Sequence, residues 1–340
     1  MPNYTHGGDV WGRETVLDFS ANLHPLGMPP EAAAAARAAV GEAGRYPDPH
    51  CTALRAAIAA RDGVEPDEVI CGAGAGDLIF RLCLALRPRR AMVTAPAFSE
   101  YEQGLALAGC AVERYQLRPD NGFDLDGGIL DAIGGGLDVL FLCTPNNPTG
   151  RLIDPALLEQ IAERCRTVGT RLIVDECFLE LSEGTPMRPE GNVFLLRAFT
   201  KSYAIPGLRL GYGLCADRAL LERLYGAAQP WTVSNVAQAA GLAACGCPDW
   251  PERGRALLRT ERPRLAEELR GLGLTVWDGQ ANYLLFRAPG QFGLREALLD
   301  KGMLIRSCGN FEGLSGDYYR VCVRTGEDNH RLLQALREVL

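Results

Sequence analysis

Val193-Phe194-Leu195-Leu196-Arg197-Ala198-Phe199-Thr200-Lys201-Ser202-Tyr203-Ala204-Ile205-Pro206-Gly207-Leu208-Arg209-Leu210-Gly211 is the stretch on which the reading of this chain turns. The apolar run from Val193 to Leu196 predicts a buried strand that delivers Lys201 to its end. Eight residues later Arg209 stands between Gly207 and Gly211. A lysine amine held there loses its proton once burial or a nearby cation lowers its pKa, and it is then a nucleophile for an aldehyde. The planar guanidinium of Arg209 suits a phosphate dianion. A lone lysine in a strand-to-loop turn is usually a surface residue, so its company decides the matter.

Upstream, the apolar run Leu172-Ile173-Val174 ends in Asp175, a carboxylate placed as a protonated pyridine nitrogen requires. Further upstream, Leu140-Phe141-Leu142-Cys143 runs into Thr144-Pro145-Asn146-Asn147-Pro148-Thr149-Gly150, where two prolines and a glycine set the backbone that presents the Asn147 amide. Aldehyde, phosphate and pyridine together describe pyridoxal 5′-phosphate (PLP). In this order and spacing the three segments resemble the fold-type I PLP enzymes, the aspartate aminotransferase superfamily, and the resemblance covers nearly the whole chain.

Composition narrows the classes. The 340 residues exceed one small core and predict two lobes. The balance of 47% hydrophobic and 23% charged residues is that of a soluble globular protein. A net charge of −7 with no basic run argues against nucleic acid or an anionic membrane as partner. The 12 cysteines are scattered, many in apolar segments such as those of Cys83, Cys143 and Cys322, as expected of reduced thiols in a cytoplasmic protein. Cys245 and Cys247 have no second pair at zinc spacing, so no metal is expected. The first residues carry no charged-then-apolar pattern of a signal peptide, and no apolar run approaches the roughly 20 residues of a membrane span.

From Val69 to Cys215 short apolar runs alternate with helical segments. Strands are predicted at 69–71, 91–94, 111–115, 139–142, 172–174, 193–196 and 208–214, with helices near 76–86, 98–109, 125–133 and 154–168 between the middle ones. The fold class is therefore α/β, a mostly parallel seven-stranded sheet covered on both faces with its site at the carboxyl ends of strands. After a helix near 217–228, a long helical region to about 272 leads into short strands (275–277, 283–286, 303–306, 319–323) and helices near 292–301 and 326–339, a smaller α+β lobe. The expected division is an N-terminal segment 1–44 packing with the small domain, a large PLP-binding domain 45–230 and a small domain 231–340.

The resemblance implies roles residue by residue. Lys201 would hold the cofactor covalently, Asp175 would pair with its ring nitrogen and Asn147 with its ring oxygen. The backbone of Ala75 and Gly76, in the glycine-rich Cys71-Gly72-Ala73-Gly74-Ala75-Gly76-Asp77, would bind its phosphate, with Arg209 as countercharge and Thr200 beside the lysine. Hydroxyls that relatives carry at the positions of Gly76 and Ala198 are missing here. Phe98 matches the aromatic that stacks on the cofactor ring, and Tyr46 one that reaches the neighbouring subunit's cofactor, which implies a homodimer with shared sites. Arg324 matches the arginine for the substrate carboxylate. Arg320, four residues earlier, is expected on the same strand face.

More narrowly, His6-Gly7-Gly8, Leu17 through Asn22, Ala281-Asn282-Tyr283-Leu284-Leu285, Ile305-Arg306-Ser307-Cys308 and Tyr318-Tyr319-Arg320-Val321 are similar to the threonine-phosphate decarboxylases of cobalamin biosynthesis. The implied reaction converts L-threonine O-3-phosphate to (R)-1-amino-2-propanol O-2-phosphate and CO2, with His6, Asn22, Arg306 and Arg320 as candidates for the substrate phosphate. Histidinol-phosphate aminotransferases are the nearest rival. Aminotransferases usually carry a tyrosine three residues after the pyridine aspartate, and Phe178 stands there, unable to donate a hydrogen bond. A PLP-binding sensor in a transcription regulator would need a DNA-binding domain, for which the first 29 residues leave no room.

Overall fold

The computed structural model describes residues 6–12 and 16–340. Its main sheet holds seven strands: β2 (Val69–Gly72), β3 (Arg90–Ala95), β4 (Ala111–Gln116), β5 (Val139–Cys143), β6 (Arg171–Asp175), β7 (Val193–Ala198) and β8 (Gly211–Leu214), following β1 (Leu17–Asp18). Their order is β2-β8-β7-β6-β5-β3-β4, all parallel except β8, which runs antiparallel to both neighbours. The central strands read as unbroken apolar runs because both faces are covered. Leu140, Leu142, Leu172, Val174 and Leu195 enter the core on one face. Their neighbours Phe141, Ile173, Phe194 and Leu196 enter the core on the other.

Six helices follow or connect these strands, among them Ala75–Leu86, Ser99–Leu107 and Pro155–Val168. The last begins with Asp154 accepting from Leu157 N and ends on left-handed Gly169, as cap chemistry requires.

A second core surrounds an antiparallel sheet of β9 (Thr275–Val276), β10 (Tyr283–Arg287), β12 (Arg306–Ser307) and β13 (Tyr318–Cys322), ordered β12-β13-β10-β9. Separately, β1 pairs in parallel with β11 (Met303–Leu304), so the N-terminal segment is built into the C-terminal part of the chain. The helix Pro30–Ala39 packs on Asn235–Cys245 for the same result.

Several expected boundaries move. The strand expected over 208–214 begins at Gly211, because Pro206–Leu208 forms a 3-10 turn and Arg209 is left-handed (φ 56°). The strand expected over 303–306 divides at Ile305 between two sheets. The helix expected over 125–133 contracts to Ile129–Ala132, with Gly127-Gly128 before it. The long helical region is two helices, Asn235–Cys245 and Trp250–Gly271, interrupted around Gly246 and Pro248. No helix among the described residues is long and apolar enough to cross a membrane.

His24 ties these parts together and carries a pH prediction. It is buried and stacked on Trp250 at 5.3 Å; Nδ1 accepts from Leu26 N at 3.1 Å, which leaves Nε2 to donate to Trp250 O at 2.9 Å. Both nitrogens are used by the neutral ring, and burial lowers its pKa from 6.5 to about 4. The unfolded chain therefore takes up this proton first as pH falls. The associated stability is whole above pH 6.5 and lost on descent towards pH 4. At 1.36 kcal/mol per pKa unit the loss is about 3 kcal/mol. Thermal midpoints should fall over that window in the parent and fall less steeply in His24→Gln; parallel curves would contradict the assignment.

Candidate active site

The parallel register brings the candidate residues together. Cys143 pairs with Asp175 across β5 and β6, and Asp175 with Leu196 across β6 and β7, so three strand ends open onto one place. There the chain turns into the Asn146–Gly150 loop, Asp175 itself, and the one-turn helix Phe199–Ser202 bearing Lys201.

Asp175 is buried, and its carboxylate is held from two sides: Oδ2 accepts from Tyr101 Oη at 2.7 Å and Oδ1 from Cys177 N at 2.9 Å. Burial, with the Asp175 charge beside it, pushes the Tyr101 phenol well above its ordinary range, so it stays a donor. Tyr101 escaped the sequence reading, although it lies three residues after Phe98, one helical turn away. Phe98 is half-buried and meets Tyr101 edge-on at 5.7 Å. The Lys201 Nζ lies 5.6 Å from the ring centre of Phe178, which in turn meets Tyr283 edge-on. Burial lowers the Lys201 pKa below the usual lysine value; Arg320 and Arg209 act in the same direction, against Cys177 and Asp175.

The glycine-rich loop is pressed onto β8. A Cβ on Gly211 would stand 2.4 Å from Ala75 N, and one on Gly74, which has φ +89°, would stand 2.8 Å from Arg209 Nη2. The guanidinium thus lies against the loop where the helix Ala75–Leu86 begins. Gly74 offers that helix no side-chain cap, so Ala75 and Gly76 stand where a helix end presents free N–H groups to an anion. Asp77 does not oppose this: it accepts from Ala73 N at 2.8 Å and pairs with Arg81. Thr200 is buried in the helical turn before Lys201, and Ala198 closes β7 without a hydroxyl. A lysine amine of lowered pKa, a buried carboxylate and an anion cradle packed too closely for a Cβ at Gly74 or Gly211 together fit PLP.

The arginines fall out differently from the expectation. Arg324 lies beyond the end of β13, so the even-offset rule does not reach it. Its Nε donates to Asp328 at 2.9 Å, its Nη1 to Asp18 O at 3.3 Å, and it lies over Phe19. Arg320 is the one brought to the site: it is buried, donates to Asn147 Oδ1 and, through Nη2, to Ser20 O at 2.9 Å, and lies near Lys201. Its buried Nε has no hydrogen-bond partner among the described residues, nor does the buried Asn22 Oδ1.

Arg306 is the direct cross-strand partner of Arg320 in the β12–β13 register, and both are 6% exposed. Burial, with Arg320 beside it, lowers the Arg306 pKa to about 10. Arg306 donates to Asn310 Oδ1 at 2.8 Å and feels the charge of Glu100, and among the described residues neither arginine makes an ion pair. It lines a pocket of about 200 Å³ with His6, Ser20 and Asn310. His6 Nε2 is 3.2 Å from Glu100 Oε1. Tyr46 stands apart, 76% exposed and stacked on Trp231 at 4.3 Å.

Residues 14–336 match the family Aminotransferase class I and II. The chain is 40% identical to a threonine-phosphate decarboxylase of Salmonella typhimurium, over 99% of this chain and 97% of that one. It is 36% identical to a histidinol-phosphate aminotransferase of Symbiobacterium thermophilum, over 97% and 92%. Its fold matches the crystal structure of the histidinol-phosphate aminotransferase from Clostridium acetobutylicum with a TM-score of 0.88 at 26% identity, covering 95% of this chain and 99% of that one. The fold-type I architecture, the strand-end site and these likenesses agree: the chain belongs to the class I and II aminotransferase family, whose members use pyridoxal 5′-phosphate.

Proposed function

We propose that this protein decarboxylates L-threonine O-3-phosphate to (R)-1-amino-2-propanol O-2-phosphate in cobalamin biosynthesis. The observation that carries the reading is the buried pair Arg306 and Arg320, opposite each other and, among the described residues, without an ion pair to either, although Glu100 acts electrostatically on Arg306. Like charges directly across a sheet are destabilising, and buried charges need partners. A substrate with two anionic groups, carboxylate and phosphate, supplies both. The decarboxylase relative at 40% identity supports the same conclusion.

In this reading Lys201 holds the cofactor, Asp175, oriented by Tyr101, pairs with its ring nitrogen, and Asn147 and Phe98 set its ring. Ala75, Gly76, Arg209 and Thr200 take its phosphate. When bound, PLP supplies an electron sink for the bond that breaks at the substrate Cα. Arg320 grips the substrate carboxylate, the role first expected of Arg324, while Arg306, His6 and Asn22 serve the substrate phosphate. Together they decide which Cα bond faces the sink. Lys201, whose lowered pKa leaves its amine free to take a proton from the substrate ammonium group, returns that proton to Cα after CO2 departs. Phe178, packed against Tyr283, adds no hydrogen bond to the ring oxygen, in keeping with a lyase.

The test is incubation of PLP-loaded protein with threonine phosphate, assayed for CO2 and for keto acid. CO2 without keto acid is expected, and histidinol phosphate with 2-oxoglutarate should give no sustained turnover. Glutamate formation without CO2 would install the aminotransferase instead, the reading that the 36% relative supports.

The exposed Tyr46–Trp231 stack supports a homodimer in which Tyr46 reaches the neighbouring cofactor; apolar rings left in water mark contact surfaces. Sedimentation at micromolar concentration should show two chains. A fully active monomer would refute the shared site.

A further inference from the structure

The N-terminal segment and Arg320 meet at one residue, Ser20. Gly7 lies flat on it: a Cβ at that position would stand 2.2 Å from Ser20 O and 3.1 Å from Ser20 Oγ. Gly8 N donates to Ser20 Oγ at 2.7 Å, and that hydroxyl donates onward to Asp18 Oδ1 at 2.6 Å. The same carboxylate oxygen accepts from Ser20 N at 2.7 Å. The Ser20 carbonyl accepts from Arg320 Nη2 at 2.9 Å. Ser20 is buried and also forms part of the wall of the pocket lined by His6 and Arg306. One residue therefore touches the N-terminal segment, the arginine for the carboxylate and the pocket for the phosphate.

We propose that Ser20, with Gly7 packed upon it, is a positioning residue that couples the two anion sites, so that an anion held by His6 and Arg306 strengthens carboxylate binding at Arg320. The proposal rests on the assignment of those two sites made above. Its physical basis is the order of contacts. His6 is otherwise held by Glu100, on the helix Ser99–Leu107, and the segment's hold on Ser20 is the Gly8 bond and the Gly7 packing. An anion against His6 and Arg306 presses the segment onto Ser20. The carbonyl that aims Arg320 is then fixed before the carboxylate arrives. A substrate without a phosphate loses both its own contacts and this alignment. The enzyme thereby reads the phosphate at the carboxylate site, a discrimination that contacts in the pocket alone do not supply. By linkage the effect is reciprocal: a carboxylate at Arg320 tightens anion binding in the pocket by the same factor.

Gly7 is the place to interrupt the coupling. No side chain fits there, yet Gly7→Ala alters no charged group and lies outside the hydrophobic cores. The experiment titrates the holoenzyme with L-2-aminobutyrate, which has the carboxylate but leaves room for a separate anion, with and without saturating inorganic phosphate. Coupling free energies between sites commonly amount to 5–150-fold in affinity. Phosphate should tighten aminobutyrate binding about fivefold or more in the parent and leave it unchanged in Gly7→Ala. Ser20→Ala keeps the carbonyl but loses the Oγ anchor, and its coupling should fall between the two. Full coupling in Gly7→Ala overturns the proposal, as does a parent in which phosphate fails to bind or leaves aminobutyrate affinity unchanged. Should Gly7→Ala lower the thermal midpoint appreciably, Ser20→Ala decides, and full coupling there overturns it equally. The readout needs no decarboxylation. Coupling without CO2 release from threonine phosphate would sink the reaction assignment and leave Ser20's role standing, and CO2 release without coupling would do the reverse.

Discussion

Lys201→Ala is expected to reduce CO2 release from threonine phosphate by roughly a thousandfold or more, since it removes both the cofactor's attachment and a proton donor at Cα, the second alone worth about 10²–10⁴-fold. The chain makes the assignment unusually clean to check. Only two lysines occur in it, Lys201 and Lys301. Lys301 follows the helix Leu294–Asp300 and sits in an ion pair with Glu338 at 2.6 Å. Borohydride reduction of the holoenzyme followed by peptide mapping should place the pyridoxyl label on Lys201. Because burial lowers the Lys201 pKa, its amine should react at lower pH than an ordinary lysine amine. A label on Lys301, or a Lys201→Ala enzyme within tenfold of the parent, would sink the assignment.

The second large effect separates two arginines that the sequence could not. Arg320→Met should lower kcat/KM for threonine phosphate by at least about a hundredfold, because a charge-assisted hydrogen bond contributes roughly 1.5–3 kcal/mol and a fork makes two. Each 1.4 kcal/mol or so is tenfold. The thermal midpoint should change little, since the repulsion with Arg306 is relieved at the same time. Arg324→Met should do the opposite. Its partners are Asp328 and the Asp18 carbonyl, so it should lower the thermal midpoint while leaving kcat/KM within about threefold, as a partly exposed ion pair is worth about 1 kcal/mol or less. A large loss of activity in Arg324→Met with a mild one in Arg320→Met would return the carboxylate to the residue first expected to hold it.

Much of the fold was legible from sequence because the signals are local. A short apolar run bounded by turn chemistry reads as a buried strand, and β5, β6 and β7 are legible this way within a residue or two. The positions of Asn147, Asp175 and Lys201 just past those runs followed, since parallel strands put their carboxyl ends on one edge of the sheet. Less regular pieces were misjudged where backbone conformation overrode composition. The apolar Leu208-Arg209-Leu210 reads as strand, but Pro206 and the left-handed Arg209 hold it in a turn until Gly211.

Sequence by itself determined the α/β architecture, the strand-end lysine, carboxylate and amide, and through them the family and its cofactor. Tertiary structure alone placed Arg320 beside Asn147 and Arg324 beside Asp328. Arg320 and Arg324 share a two-residue periodicity only while the strand lasts, and β13 stops at Cys322. Only the fold revealed that Tyr101 holds Asp175, that Arg306 faces Arg320 across a register set by hydrogen bonds, and that Ser20 touches both Arg320 and the pocket lined by Arg306. Each of these joins residues from 14 to 300 positions apart. Their meeting is fixed by sheet register and core packing, which depend on the whole chain at once, and no local pattern of residue types encodes it.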